Sequence, residues 1–222
     1  MEKSQLKISI ISIGGAGTEI INRIIETNKN ENIDFITIST SYSDISRSNA
    51  NFKLLVGKKI ANGLGCFSDI NKAEKAVNES KKEIMEFLQK RLKDTNIVFI
   101  VAGLGGGFGT GATPIIADII RKMQIVTICV VSFPPFFEGM KRAERANKGK
   151  EKISKNVDLL ITIQIEEIYL KNGMVKGIIQ TYKYFDESAR KNVQELINYF
   201  SLYNLESLSY EYLKKFIKEK FS

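Results

Sequence analysis

The sequence predicts an α/β fold: a mostly parallel sheet with helices on both faces. Two observations predict it. Short apolar runs at 6–13, 35–38, 96–101, 125–131 and 157–163 alternate with stretches of helical periodicity. Strands that each feed a helix argue for a parallel sheet covered on both sides. The second observation is a pair of glycine runs, Gly14-Gly15-Ala16-Gly17 and Gly105-Gly106-Gly107-Phe108-Gly109-Thr110-Gly111, each standing where a strand gives way to a helix. Loops at the carboxyl ends of parallel strands are where such sheets bind ligands.

Taken in order, the first strand ends at Ile13, and Ile20, Ile21, Ile24 and Ile25 then recur at helical spacing. The second strand, Phe35-Ile36-Thr37-Ile38, runs into Ser39-Thr40-Ser41. A dinucleotide fingerprint wants glycine at position 12 and an acid closing the second strand. Ser12 and Ser39 to Ser41 stand there instead, so that reading is weak. Residues 42–62 are polar and weakly patterned, and no element is predicted. Asp69 reads as the N-cap of one long helix carrying Ala73, Ala76, Val77, Ile84, Phe87, Leu88 and Leu92.

The run at 105–111 then follows a buried strand as a loop almost without side chains. A helix is expected from Ala112, with Pro114 tolerated in its first turn. Glycine admits positive φ and close approach of backbone N–H groups. A helix N-terminus adds unpaired donors and the positive end of the dipole. Together they form an anion cradle, most often for phosphate. There is no Gly-Lys-Ser/Thr, so no lysine clamp is expected.

After the strand at 125–131, Glu138 and Arg142 lie one helical turn apart and can face the same ligand edge. Taken alone, such a pair is an ordinary surface ion pair. A further strand at 157–163 precedes a helical pattern over 175–200, through Val175, Ile178, Tyr182, Phe185, Ala189, Val193, Leu196 and Phe200. The tail sets Lys214, Lys215, Lys218 and Lys220 opposite Tyr212, Leu213, Phe216 and Ile217, a solvated amphipathic helix.

Composition narrows the chemistry. Histidine is absent, which removes Ser-His-Asp and Cys-His catalysis and every histidine metal site. The two cysteines, Cys66 and Cys129, imply no disulfide framework. The formal charge of +8 comes mainly from lysine, whereas nucleic-acid readers rely on arginine. With Ile, Lys and Asn all abundant, the charge reads as compositional drift, and no nucleic-acid partner is expected. No apolar run approaches the ~20 residues of a membrane span. No signal-peptide pattern precedes the first strand, so a cytoplasmic protein is expected.

The run at 105–111 resembles the tubulin-type signature of the FtsZ family of division proteins, Gly-Gly-Gly-Thr-Gly-Thr-Gly before an Ala-Pro-rich helix. Phe108 replaces the first threonine and Thr110 keeps the second. Residues 11–24, with Asn22-Arg23, resemble the family's first nucleotide loop, although Glu19 takes an asparagine position. Gly63-Leu64-Gly65 matches the segment before the loop near the γ-phosphate, where Cys66-Phe67-Ser68-Asp69 has lost the usual small residues. Phe133-Pro134-Pro135-Phe136-Phe137-Glu138-Gly139-Met140-Lys141-Arg142 and Val157-Asp158-Leu159-Leu160-Ile161-Thr162-Ile163 match two further motifs.

The resemblance spans 6 to about 213, the first half of the family. It implies a Rossmann-like tubulin/FtsZ nucleotide-binding domain over 1–174, with the central helix and a truncated start of the second domain over 175–222. It implies GTP or GDP as the ligand, its phosphates held by Gly14, Gly15, Gly17, Gly105, Gly106, Gly107, Gly109, Thr110 and Gly111. Glu138 would accept ribose hydroxyls and Arg142 would lie beside the nucleotide. Tyr182 would stack on guanine, and Asp186 and Glu187 would read its N1–H and N2–H₂ donors, which adenine lacks. The family's Asn-Thr-Asp has become Ser39-Thr40-Ser41, leaving no carboxylate there. Mg²⁺ would therefore be held mainly by nucleotide oxygens.

The family's catalytic loop, Asn-x-Asp-Phe-Ala-Asp, reaches the nucleotide of the neighbouring subunit and positions the attacking water. Here Ser207, Ser209 and Tyr212 stand at its polar positions, and Glu206 and Glu211 are displaced from them. No catalytic residue and no protein metal ligand is assigned. The expected function is a GTP-binding, FtsZ-like division protein that joins tubulin-like filaments, by head-to-tail self-association or with a complete FtsZ-like subunit. Its hydrolysis would be weak or partner-dependent. The rivals are a nucleotide-holding filament cap and a decaying remnant.

Overall fold

The computed structural model describes residues 6–28, 30, 32–164, 177–202 and 207–221. Strands β1 (Ile8–Ile13), β2 (Ile33–Ser39), β3 (Phe52–Leu55), β4 (Ile97–Gly103), β5 (Val126–Ser132) and β6 (Leu159–Ile163) form one sheet in the order β3-β2-β1-β4-β5-β6. Every neighbouring pair is parallel. Ile13 sits beside Ile38 and Ala102, so the central strands all release the chain at one edge.

The helices are α1 (Gly14–Thr27), α2 (Tyr42–Arg47), α3 (Lys58–Ala61), α4 (Ile70–Glu79), α5 (Lys81–Arg91), α6 (Phe108–Lys122), α7 (Met140–Ser154), α8 (Ile178–Leu202) and α9 (Tyr210–Phe221). On one face Ile20, Ile21 and Ile24 of α1 meet Phe185, Ala189 and Val193 of α8, and Leu213 and Phe216 of α9, over Ile10, Phe99 and Val101. On the other, Ala73 and Ala76 of α4, Ile116 and Ile120 of α6 and Ile153 of α7 close over Ile11, Ile100 and Val131. β1 is buried on both faces, which explains why only the small, hydrogen-bonded Ser9 and Ser12 interrupt its isoleucines.

Three expectations are corrected. The long helix expected from Asp69 is two helices, because Ser80 leaves helical geometry (φ −97, ψ 10). Its hydroxyl accepts the Gly57 N–H at 2.8 Å. Asp69 does cap α4, accepting the Lys72 N–H at 2.9 Å. Residues 42–62 hold α2, β3 and α3. β3 went unseen because it is a short edge strand with Lys53 exposed and no buried period to read. Finally, α6 begins at Phe108, so Gly109, Thr110 and Gly111 are helical and Pro114 lies inside the helix. Gly109 makes this possible: a Cβ there would collide with the Gly103 carbonyl, so only glycine lets the helix start against the end of β4. The 174/175 boundary and Val175 lie outside the described residues.

Candidate functional site

β1 and β4 are neighbours, but α1 and α6 leave them toward opposite faces of the sheet. A crevice must open where the two connections diverge. A cavity of about 330 Å³ lies there. One wall is the N-terminus of α1, with Gly14 (φ +71) turning the chain straight from strand into helix. The other is the N-terminus of α6, through Gly106 to Gly109. Neither helix has a side-chain cap. Two uncapped N-termini therefore aim unpaired N–H groups and positive dipole ends into one space, which suits a polyanion.

The far end is built by α8 and the turn before α7. Tyr182, Phe185 and Asp186 face Glu138 and Arg142 across the cavity. The Tyr182 hydroxyl donates to the Glu138 carboxylate. Burial, then that carboxylate, push the tyrosine up to about 12, so it remains a donor. Arg142 Nε lies 2.9 Å from Glu138 Oε2, yet it is buried with no aligned acceptor, a donor still available to a ligand oxygen. Asp186 is paired with Arg23 Nε at 3.3 Å. Burial outweighs that pairing and pushes its carboxyl up to about 6.

Of the residues expected to hold nucleotide, Gly14, Gly15, Gly106, Gly107, Gly109, Glu138, Arg142, Tyr182 and Asp186 line this cavity. Five do not. Gly17 lets α1 press on β4, because a Cβ there would lie 2.5 Å from the Val101 carbonyl oxygen. Gly105 (φ +90) carries the turn, donating its N–H to Thr110 Oγ1 at 2.9 Å and accepting from Arg145 Nε at 2.9 Å. Thr110 is buried and its hydroxyl braces that turn; it does not face the cavity. Gly111 lets α4 approach, since a Cβ there would lie 2.9 Å from Ala73 Cβ and from the Ile70 carbonyl oxygen. Glu187 points away and holds Arg190 through two bonds of 2.8 and 2.6 Å.

One lining residue was missed in the sequence. Asp44, in the first turn of α2, places its carboxylate over α1, where a Cβ on Gly15 would meet Oδ1 at 3.1 Å. Ser39-Thr40-Ser41 carry no carboxylate, as expected, but Asp44 brings one to the same end of β2. A short helix in an unpatterned stretch hides which way its side chains face, and only the acid in its first turn was a signal.

Residues 7–172 match the family model described as "Tubulin/FtsZ family, GTPase domain". The chain belongs to the tubulin/FtsZ family. "Cell division protein FtsZ 1" of Thermococcus kodakarensis is 35% identical over 209 residues, covering 93% of this chain and 54% of that protein. The Pyrococcus horikoshii FtsZ 1 is also 35% identical over 209 residues, covering 93% of this chain and 55% of that one. The chain thus spans about half the length of the curated relatives it matches. Among solved structures, the empty FtsZ dimer of M. jannaschii superposes with a TM-score of 0.82 at 30% identity, over 93% of this chain and 58% of that one. A GTPγS-bound CetZ2 protofilament from Haloferax volcanii gives 0.77 at 20% identity over 86% of this chain and 58% of that one, a likeness of fold.

The residues expected at the catalytic loop lie at the pole opposite the cavity. The loop at 207–209 lies by the N-terminal edge of the sheet, where Asn96 Nδ2 donates to the Leu208 carbonyl at 3.4 Å. Ser209 Oγ accepts the Tyr212 N–H at 3.4 Å, as a helix cap for α9. Ser207 bonds Ser209 at 3.2 Å. Glu206 lies outside the described residues, and Glu211 is exposed.

Proposed function

We propose that the chain binds a guanine nucleotide in the cavity between α1 and α6 and takes part in tubulin-like filaments at the division site, as a cytoplasmic protein. The observation that carries this is the convergence of two uncapped helix N-termini on one cavity whose far end holds Tyr182, Asp186, Glu138 and Arg142. Phosphates would lie against the backbone of Gly14, Gly15, Gly106 and Gly109. Glu138 would accept from ribose, Tyr182 would cover a base face and Asp186 would accept from its N–H edge. The donor set fits a hard divalent ion too: the Asp44 carboxylate and the β2-end hydroxyls are oxygen ligands of the kind Mg²⁺ takes. Among the described residues no group of three acidic, Cys or His side chains makes a protein-only cage. Such an ion would be held mainly by the nucleotide, screening phosphate charge and orienting water.

Hydrolysis by this chain alone would be slow. The nucleotide pole supplies positioning and electrostatics, while the pole that would meet a neighbour's nucleotide presents serine caps. The same asymmetry favours a second reading, a cap that holds nucleotide and occupies one filament end. Among the described residues no helix is long and apolar enough to cross a membrane.

Nucleotide content of the purified protein, measured by chromatography after acid release, tests the first claim. Guanine nucleotide near one per chain is expected; none, with no uptake of added GTP, overturns it. Pelleting with GTP then separates filament former from cap.

A further inference from the structure

The cavity's charge does not match a nucleotide by itself. Its charged lining is three carboxylates (Asp44, Glu138 and Asp186) and one guanidinium, Arg142, with no lysine among the described residues. Glu138 is taken by Tyr182 and Arg142, and Asp186 by Arg23. Asp44 alone of the three lies at the α1 glycines, the end built to receive phosphate. Its side chain is only 14% exposed, so solvent does little to screen it. A carboxylate and a phosphate drawn into one poorly solvated cradle repel unless a cation lies between them.

The surroundings of Asp44 suit that arrangement. Oδ2 accepts the Ser39 hydroxyl at 2.7 Å, which fixes the carboxylate at the end of β2. Oδ1 accepts from Arg47 Nη2 at 3.1 Å, but Arg47 is also held by Glu19 Oε1 at 2.7 Å through Nη1. Arg47 is more than half exposed and retains a partner if Asp44 engages something else. Each carboxylate oxygen keeps a free lone pair, and the Ser39 and Thr40 hydroxyls add oxygens at the same end.

We infer that Asp44 is the chain's own ligand to the divalent cation that accompanies the nucleotide, so that retention of nucleotide depends on that cation. This rests on the guanine-nucleotide reading above. The carboxylate comes from α2, just beyond Ser39-Thr40-Ser41, and not from those positions themselves.

The experiment is equilibrium titration of GDP into nucleotide-stripped protein, in excess MgCl₂ and in EDTA, for the parent and Asp44→Asn. Asparagine keeps the shape and the Ser39 contact but removes the charge. The parent should lose about tenfold or more of its GDP affinity in EDTA. In Asp44→Asn the two media should differ by less than about threefold, chiefly because binding in EDTA improves. Electron paramagnetic resonance of Mn²⁺ in the GDP complex should show weaker ion binding in the variant. A parent indifferent to EDTA overturns the inference without any variant. So does an Asp44→Asn protein that gains affinity equally in both media, which would make Asp44 only a competing anion. Absence of GDP binding by the parent in MgCl₂ would instead overturn the nucleotide reading, and this inference with it.

Discussion

The Gly107 backbone N–H donates to the Phe67 carbonyl at 2.7 Å, tying the start of α6 to the loop before α4. Gly107 has no room for a side chain: a Cβ would lie 2.6 Å from the Phe67 oxygen, 2.9 Å from that of Cys66 and 3.0 Å from that of Asp69. Those are backbone atoms and cannot swing aside. Gly107→Val should push the two loops apart and weaken GTP binding by at least about tenfold, as displaced positioning groups do. Isothermal titration of a variant whose far-ultraviolet dichroism is unchanged checks it. Parental affinity in that protein would refute the role of this contact.

Phe67 itself has φ +49 and is 76% exposed, a left-handed backbone that a bulky side chain disfavours. Lys72 lies over its ring at 5.6 Å, but little apolar area is buried. Phe67→Gly should therefore stabilise the fold by about 1 kcal/mol, a rise of roughly 2–4 °C in melting temperature for a domain of this size. A thermal melt showing a fall would mean that the ring does more at the mouth of the cavity than its exposure indicates.

Asp186 and Glu187 are adjacent in sequence and separated by function. Only Asp186 lines the cavity, while Glu187 is engaged by Arg190. Asp186→Ala should cost ~1–3 kcal/mol of the preference for GTP over ATP, and Glu187→Ala almost none. Competition titrations decide between them, and equal effects would remove Asp186 as the base reader. The carboxyl titrates near pH 6 because burial raises it, so guanine preference should be full at pH 7.5 and fade as pH falls through about 6. Stability has the opposite slope from this group. The folded state holds the proton more tightly than the unfolded chain, so stability declines as pH rises from about 4 to about 6. Asp186→Asn should flatten that decline in denaturant melts.

Turnover of GTP by the parent should remain slow at all protein concentrations. By the resemblance Ser207 and Ser209 take the family's Asn and Asp positions, and serine hydroxyls are poor bases near neutral pH. Aspartate caps a helix as well as serine does, so Ser207→Asn/Ser209→Asp should leave α9 intact. It should raise phosphate release by about 10² or more if subunits stack head to tail. Brisk, concentration-dependent release from the parent would show that another carboxylate, such as Glu211, does this work.

The amino-acid sequence by itself determined the parallel α/β architecture with helices on both faces and the two glycine junctions between strand and helix. Short apolar runs alternating with helical periodicity read as buried parallel strands, and Glu138 and Arg142 were legible because a local motif fixes their spacing, whereas Tyr182 was placed by the family resemblance. Tertiary packing decided which glycines face the ligand space. Gly14, Gly15 and Gly106 line it, Gly17 and Gly111 are glycine because neighbouring strand or helix atoms press on them, and Gly107 and Gly109 do both. A sequence records that a side chain is absent, not which neighbour required its absence. Packing likewise turned Glu187 toward Arg190 and brought Asp44 back over Gly15 from a stretch without pattern. The direction of a side chain on a short helix depends on how that helix docks against β2 and α1, a long-range contact that no local spacing encodes.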